Sequence, residues 1–174
     1  IGAGIMGVFH ALLAKHKGAR VIVSEPDEKR RDFLRGLGFK ELINPMEEDL
    51  VKLVKELTEG KGADIIFNTT AISAIAQETL DMVALYGKII LYSSFYPDIP
   101  LSVSPTFIHK SMVSLMGSVD ANSSDFITSL KLMAASVIDV NRVISVVGSF
   151  YNMEDAIDKA TSPNTYRVVV KWEK

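Results

Sequence analysis

The chain contains no cysteine among its 174 residues. Without a thiol, this stretch can form no disulfide, hold no metal ion through thiolates and use no cysteine as a nucleophile. The absence is compatible with a reducing compartment, and we expect the protein to be cytoplasmic.

Long apolar runs and an excess of either charge are also missing. No run approaches the roughly 20 apolar residues that a membrane-spanning helix needs. The 19 Lys and Arg residues and 21 Asp and Glu residues give a net charge of −2 and are interspersed along the chain. No basic face is evident, so we expect neither a nucleic acid nor a membrane as a partner.

Short apolar runs alternate with amphipathic stretches, a pattern typical of a parallel sheet covered by helices. The sequence therefore predicts an α/β fold. The predicted strands cover residues 20–24, 41–44, 63–68, 88–92, 112–119, 143–149 and 166–172. The predicted helices cover residues 8–15, 26–36, 47–59, 72–85, 122–135 and 153–160. Pro97, Pro100 and Pro105 mark a loop before the fifth strand.

A glycine-rich run opens the chain and directly precedes the first predicted helix. Its G-x-G-x-x-G pattern allows a tight turn, close approach of a pyrophosphate and close packing of helix against strand. The N–H groups and the positive end of the helix dipole would hold the phosphates. The run consists of Gly2, Ala3, Gly4, Ile5, Met6 and Gly7.

An acidic residue, Glu25, lies at the end of the predicted strand at residues 20–24, 18 positions after Gly7. This spacing fits a carboxylate that accepts hydrogen bonds from the hydroxyls of an adenosine ribose. A carboxylate there would repel a 2′-phosphate, which favours NAD over NADP, although Arg30 and Arg31 leave the choice open. A simple turn with a solvated acid, or a methyltransferase that binds adenosylmethionine, would also fit these features.

Several longer segments resemble the cofactor domain of medium-chain zinc dehydrogenases, and most closely the sorbitol and L-threonine dehydrogenase branch. These segments are GAGIMG, VIVSEPDEKR, LINPMEEDLVKLVKELTEGKGADIIFNTTA, PLSVSPTFIHKSMVSLMGSV and YRVVVKW. The resemblance implies a Rossmann domain, a doubly wound parallel sheet with helices on both faces, at residues 1–120. Residues 121–174 would then return toward a catalytic domain that is not in this sequence.

The resemblance also implies further contacts with NAD. Arg30 would reach the adenosine ribose, and Arg167 would pair with the pyrophosphate. The nicotinamide side would be lined by residues after three strands, namely Thr69, Thr70, Tyr92, Ser93, Ser94, Ser118 and Asp120. The family often has glycine where this chain has Ala71 and Ser93, so the adenosine half is the firmer expectation.

The whole enzyme would oxidise a secondary alcohol or polyol and pass hydride to the nicotinamide. Its zinc ligands would lie in the absent N-terminal domain, and we expect no metal ligand among His10, His16 and His109. The chain alone should therefore be inactive. A nucleotide-sensing module that never had a zinc domain is the alternative.

Two expectations concern assembly and the first strand. In the doubly wound order 3-2-1-4-5-6 the first strand is central, and only Ile1 of it is present, so we expect more chain ahead of Ile1. The resemblance further implies a homo-oligomer in which the strand from Met112 to Val119 pairs across a twofold axis.

Overall fold

A computed structural model of the protein describes residues 1–172 and shows two compact units. The first comprises residues 1–120, and the second comprises the described residues from Ala121 onward. In the described part of the chain, no helix is both long and apolar enough to cross a membrane.

The first unit alternates helices and strands. Its elements are α1 (Ile5–His16), β1 (Ile22–Ser24), α2 (Glu28–Gly36), β2 (Glu41–Ile43), α3 (Leu50–Leu57), β3 (Ala63–Asn68), α4 (Ser73–Met82), β4 (Val83–Leu91), α5 (Pro105–Ser111) and β5 (Ser114–Gly117). The predicted α/β fold is confirmed.

Every strand pairing in the first unit is parallel. β1 pairs with β2, and β3, β4 and β5 form a second ladder with β4 in the middle. Ile1 and Gly2 lie between the two ladders, because Gly2 N donates to Ser24 O at 2.8 Å and Thr69 N donates to Ile1 O at 3.0 Å. The order of the parallel strands, with Ile1 and Gly2 between β1 and β3, is that of a Rossmann fold.

Polar caps determine where several helices begin. Asp27 accepts from Arg30 N at the start of α2, and Asp49 accepts from Lys52 N at the start of α3. Such side chains satisfy amides that have no partner inside the helix. As a result α3 starts at Leu50, three residues later than predicted.

Two sequence predictions are wrong. The helix predicted at residues 72–85 ends at Met82, because Val83 pairs with Ala63 and begins β4. The loop predicted before the fifth strand contains the helix α5, whose N-cap is Ser104 and whose first residue is Pro105. The strand β5 is therefore limited to Ser114–Gly117. Proline is well accommodated in the first turn of a helix, where its missing N–H has no partner to lose.

The core of the first unit lies between the second ladder and the helices α3 and α4. Its buried members are Ile43, Leu50, Val54, Ile66, Leu80, Met82, Val83, Ile89 and Val113. The strands β1, β3 and β4 contribute to this core or pack against it, and predicted site residues follow their carboxyl ends.

The second unit contains α6 (Ser123–Ala134), β6 (Ile144–Ser149), α7 (Met153–Thr161) and β7 (Arg167–Lys171). A reciprocal capping box between Asn122 and Asp125 starts α6. β6 and β7 pair in parallel, and α7 packs on both strands. Both helices and both strands were predicted from the sequence.

Candidate functional site

The glycine run forms a tight turn from Ile1 into α1. Gly2 has a φ of +87°, in the left-handed region that favours glycine. A Cβ on Gly7 would overlap the carbonyl oxygen of Gly2 and lie 2.8 Å from its carbonyl carbon. The turn therefore requires glycine at both positions, and it brings the first turn of the helix against the loop.

The N-terminus of α1 has no side-chain cap. Gly4 occupies the cap position, and no acidic residue lies in the first turn, which contains Ile5, Met6 and Gly7. The free amides of this turn form the positive end of the dipole of a 12-residue helix. Together with the glycine turn, they form a cradle suited to an anion.

Glu25 follows β1 and is buried, with 4% of its surface exposed. Its Oε2 accepts from Ala3 N at 2.6 Å, and its Oε1 accepts from Asp27 N at 3.0 Å. A carboxylate can accept about four hydrogen bonds, so these two leave it able to accept more. Glu25 thus links the glycine turn to the end of β1 and retains capacity for a hydroxyl-bearing ligand.

The two arginines of α2 have different surroundings. Arg31 is buried and donates to Glu25 O at 2.6 Å and Pro26 O at 2.7 Å, and it pairs with Glu28. Hydrogen bonds from Arg35 and Arg31 lower the pKa of Glu28. Arg30 is partly exposed, and its Nη1 lies 4.0 Å from Glu25 Oε2. Arg31 therefore supports the backbone, and Arg30 lies beside the carboxylate.

At the end of β3 the threonine hydroxyls are already used as donors. Thr69 Oγ1 donates to Ile1 O at 2.8 Å, and Thr70 Oγ1 donates to Asn68 Oδ1 at 2.7 Å. Thr70 N also donates to Asn68 Oδ1, at 3.0 Å. Toward a ligand, these hydroxyls can act only as acceptors.

The residues that follow β4 form hydrogen bonds with residues at the end of β3. Tyr92 N donates to Asn68 O at 3.0 Å, and Ser93 Oγ donates to Thr69 O at 3.1 Å. The ring of His10 lies between Phe67 and Tyr92, with centroid distances of 4.8 Å and 5.0 Å. His10 Nδ1 also lies 2.7 Å from Met6 O, so this histidine has a packing role.

The remaining predicted residues are more exposed. Ser94 follows Ser93 at the surface, and Ser118 N donates to Leu91 O at 3.1 Å beside β5. Asp120 is exposed with a φ of +57°. Arg167 begins β7 in the second unit and is exposed.

Sequence reasoning did not single out Asn68, and it gave Arg31 no structural role. Asn68 is completely buried, and its Nδ2 has no hydrogen-bond partner among residues 1–172. A polar residue that closes the apolar run Ile65-Ile66-Phe67 was the available signal for Asn68. For Arg31, nothing in the sequence separates a buried arginine from an exposed one.

The described residues bring together no group of three His, Asp or Glu side chains that could hold a metal ion. Zinc therefore has no ligand set made by these residues alone, and we assign no step to it.

The parallel strand order and the glycine turn give the first unit the Rossmann-type fold seen in medium-chain dehydrogenases. The structure resembles a protein described as a zinc-binding dehydrogenase from Sinorhizobium meliloti 1021, solved with NADP bound. The TM-score is 0.85 at 20% identity, over 97% of this chain and 50% of that one. At this identity the likeness concerns the fold.

The family model for zinc-binding dehydrogenases matches residues 6–135, so the chain belongs to that family. It is similar to 2-dehydro-3-deoxy-L-galactonate 5-dehydrogenase of Pseudoalteromonas atlantica, with 31% identity over 90% of this chain and 45% of that protein. It is also similar to L-threonine 3-dehydrogenase of Pyrococcus furiosus, with 34% identity over 64% of this chain and 32% of that protein. The chain thus spans less than half the length of either relative.

Proposed function

We propose that this chain binds NAD(H) and forms the cofactor-binding part of an enzyme that oxidises a secondary alcohol or polyol. The observation that carries the proposal is the buried carboxylate of Glu25, hydrogen-bonded to Ala3 N beside a helix N-terminus without a side-chain cap. Bound NAD⁺ would supply the hydride acceptor.

The glycine turn and α1 would bind the pyrophosphate. The amides of the first turn of α1 would donate to the phosphates. Gly4, where a Cβ would meet only Arg30 Nη1 at 4.0 Å, leaves room for a phosphate to approach the backbone. We further propose a role in cofactor binding for Arg167, which follows from the family resemblance alone.

Glu25 would orient the adenosine ribose. Its two existing hydrogen bonds hold the carboxylate in place, so its other lone pairs can accept from the 2′- and 3′-hydroxyls. Arg30 lies beside the carboxylate and would contact the same ribose.

The nicotinamide would lie along the carboxyl ends of β3, β4 and β5. The hydroxyls of Thr69 and Thr70 would accept from the carboxamide or pack against the ring, because their protons are already donated. We assign the backbone of Tyr92, Ser93 and Ser94 to one side of the carboxamide. Ser118 and Asp120 would complete its recognition.

NAD is the proposed cofactor in preference to NADP. A 2′-phosphate would meet the Glu25 carboxylate, and Arg31 is bonded to the Glu25 and Pro26 carbonyls and is not available to pair with that phosphate. A structural neighbour with 20% identity was solved with NADP bound, so the fold itself is compatible with NADP, and the residues at the end of β1 would make the choice.

The substrate class is inferred from the relatives. Their names specify dehydrogenases of 2-dehydro-3-deoxy-L-galactonate and of L-threonine, and both compounds carry a secondary hydroxyl. Because the chain spans less than half of these relatives, we expect it to bind nucleotide without catalysing alcohol oxidation alone.

Titration with NADH, NADPH and adenosylmethionine, followed by calorimetry, tests the proposal. We expect NADH to bind more tightly than NADPH, and Glu25→Gln to weaken NADH binding by about 10- to 100-fold through loss of a charged acceptor. Glu47→Gln is the matched control, because Glu47 is exposed, and it should leave binding unchanged. Equal affinity of the folded protein for NADH and NADPH, or binding of adenosylmethionine alone, would overturn the proposal.

A further inference from the structure

Asn68, the last residue of β3, is a polar residue in an apolar position. It is fully buried, and strand alternation places it on the same side as Ile66, a member of the core. Its Nδ2 has no hydrogen-bond partner within the described part of the chain. A buried amide donor without a partner is costly, so packing alone does not explain an asparagine at this position.

The side-chain oxygen of Asn68, in contrast, has two partners on a single residue. Asn68 Oδ1 accepts from Thr70 N at 3.0 Å and from Thr70 Oγ1 at 2.7 Å. The first bond closes an Asx turn, and the second fixes the direction of the threonine hydroxyl. The backbone of Asn68 is held in turn by β4, because its carbonyl accepts from Tyr92 N at 3.0 Å. Through one oxygen, Asn68 holds both the main chain and the side chain of Thr70.

Thr70 packs against the glycine turn. A Cβ on Gly2 would lie 3.1 Å from Thr70 Cγ2 and 2.9 Å from Thr69 Oγ1. Because the hydroxyl of Thr70 is bonded to Asn68, its methyl group is the part that contacts the turn. Thr69 is held separately, since its Oγ1 donates to Ile1 O at 2.8 Å. The side chains of both threonines are therefore fixed by bonds within the protein.

We propose that Asn68 is a positioning residue for the nicotinamide half of the cofactor and acts through Thr70. The inference rests on the proposed function, in which Thr69 and Thr70 line the nicotinamide. Fixing a binding loop in advance raises affinity, because the free energy of ordering it is not lost on binding. The effect of Asn68 therefore falls on ligands that reach this loop and not on ligands that end at the pyrophosphate.

Calorimetric titration of the full chain with NADH and with ADP tests the proposal, because ADP lacks the nicotinamide riboside. Asn68→Val introduces a residue suited to strands and removes both the bonded oxygen and the unpartnered amide. We expect it to weaken NADH binding by about 10-fold and ADP binding by less than about 2-fold. Asn68→Asp keeps the oxygen and should keep the ratio of the two affinities within about 3-fold of the parent.

Asn44→Val is the matched control. Asn44 follows β2, and its Oδ1 accepts from Met46 N at 3.1 Å, so the variant removes the same kind of turn bond from a different strand end. It should leave the ratio of NADH affinity to ADP affinity unchanged. Amide hydrogen exchange at Thr70 in the parent chain requires no variant, and it should be at least about 10-fold slower than in an unstructured peptide.

Equal weakening of NADH and ADP binding by Asn68→Val would give Asn68 a general structural role and would overturn the proposal. Unchanged NADH affinity in Asn68→Val, a selective loss of NADH affinity in Asn68→Asp, or an unprotected Thr70 amide in the parent would also overturn it. Each of these results leaves the proposed function in place. A folded parent chain that binds neither NADH nor ADP contradicts the proposed function and this inference with it.

Discussion

Gly7 and Gly36 are both helical glycines of the first unit, but an added methyl group would have different surroundings at each. At Gly7 it would overlap the backbone of Gly2, whereas at Gly36 it would meet no atom within 4 Å. We expect Gly7→Ala to reduce the free energy of unfolding by about 1–3 kcal/mol through overpacking, and to weaken NADH binding at least about 10-fold.

The control for this prediction is Gly36→Ala at the end of α2. It should leave NADH binding unchanged and stabilise the protein by up to about 1 kcal/mol, because alanine has the higher helix propensity. Chemical denaturation and NADH titration measure both quantities. Unchanged NADH affinity in Gly7→Ala would show that the glycine turn does not hold the nucleotide.

At the scale of residues, sequence spacing was sufficient to select Glu25, because a glycine turn and a strand end constrain where a carboxylate can lie. It was not sufficient for Asn68 or Arg31. Their importance comes from burial and from bonds to Thr70 and to the Glu25 and Pro26 carbonyls, and a residue type alone carries no information about either.

At the scale of elements, the outer edge of β5 is the feature with the clearest consequence for assembly. All four residues of β5 are exposed, as is Val119 beyond it. Since Ser118 N bonds to Leu91 O beside β4, alternation directs the N–H of Leu115 away from β4. We propose that this edge pairs with a second copy within the strand predicted from Met112 to Val119.

Leu115→Pro should convert the resulting homodimer to a monomer, because proline removes an outward N–H from the paired edge. Leu115→Ala keeps that N–H and should remain dimeric. Light scattering of both variants and of the parent chain measures the mass. A parent chain that is monomeric throughout the accessible concentration range would contradict the proposed interface.

Helices and strands with a clear hydrophobic pattern or a clear helix-capping residue could be predicted from the sequence. β3 lies at the predicted residues, and α6 starts at its capping box within one residue of the prediction. The end of α4 could not be predicted, because Val83 leaves the helix to pair with Ala63, which is 20 positions away. The helix α5 was missed because Pro105 was interpreted as part of a loop, whereas Ser104 and Pro105 together start a helix.

At the scale of the whole molecule, the first unit contains a complete apolar core. Every member of that core, from Ile43 to Val113, lies within residues 1–120. We therefore expect residues 1–120 alone to unfold cooperatively and to bind NADH within about 10-fold of the full chain, a loss typical of one charged contact.

Arg167→Ala in the full chain is the matched comparison for this truncation. If Arg167 has the proposed role in cofactor binding, both forms should show a similarly reduced affinity for NADH by calorimetry. Complete loss of NADH binding in a folded 1–120 chain would contradict the assignment of the site to the first unit.

The sequence by itself determined the α/β class, the glycine turn, the acidic residue after β1 and the family resemblance, because each depends on local spacing or local backbone conformation. Only the tertiary structure decided that Arg31 faces inward, that the threonine hydroxyls are already donors and that Ile1 bonds to Phe67 and Thr69. These properties depend on contacts between residues far apart in the chain, such as Ile1 with Phe67, and no local pattern encodes them.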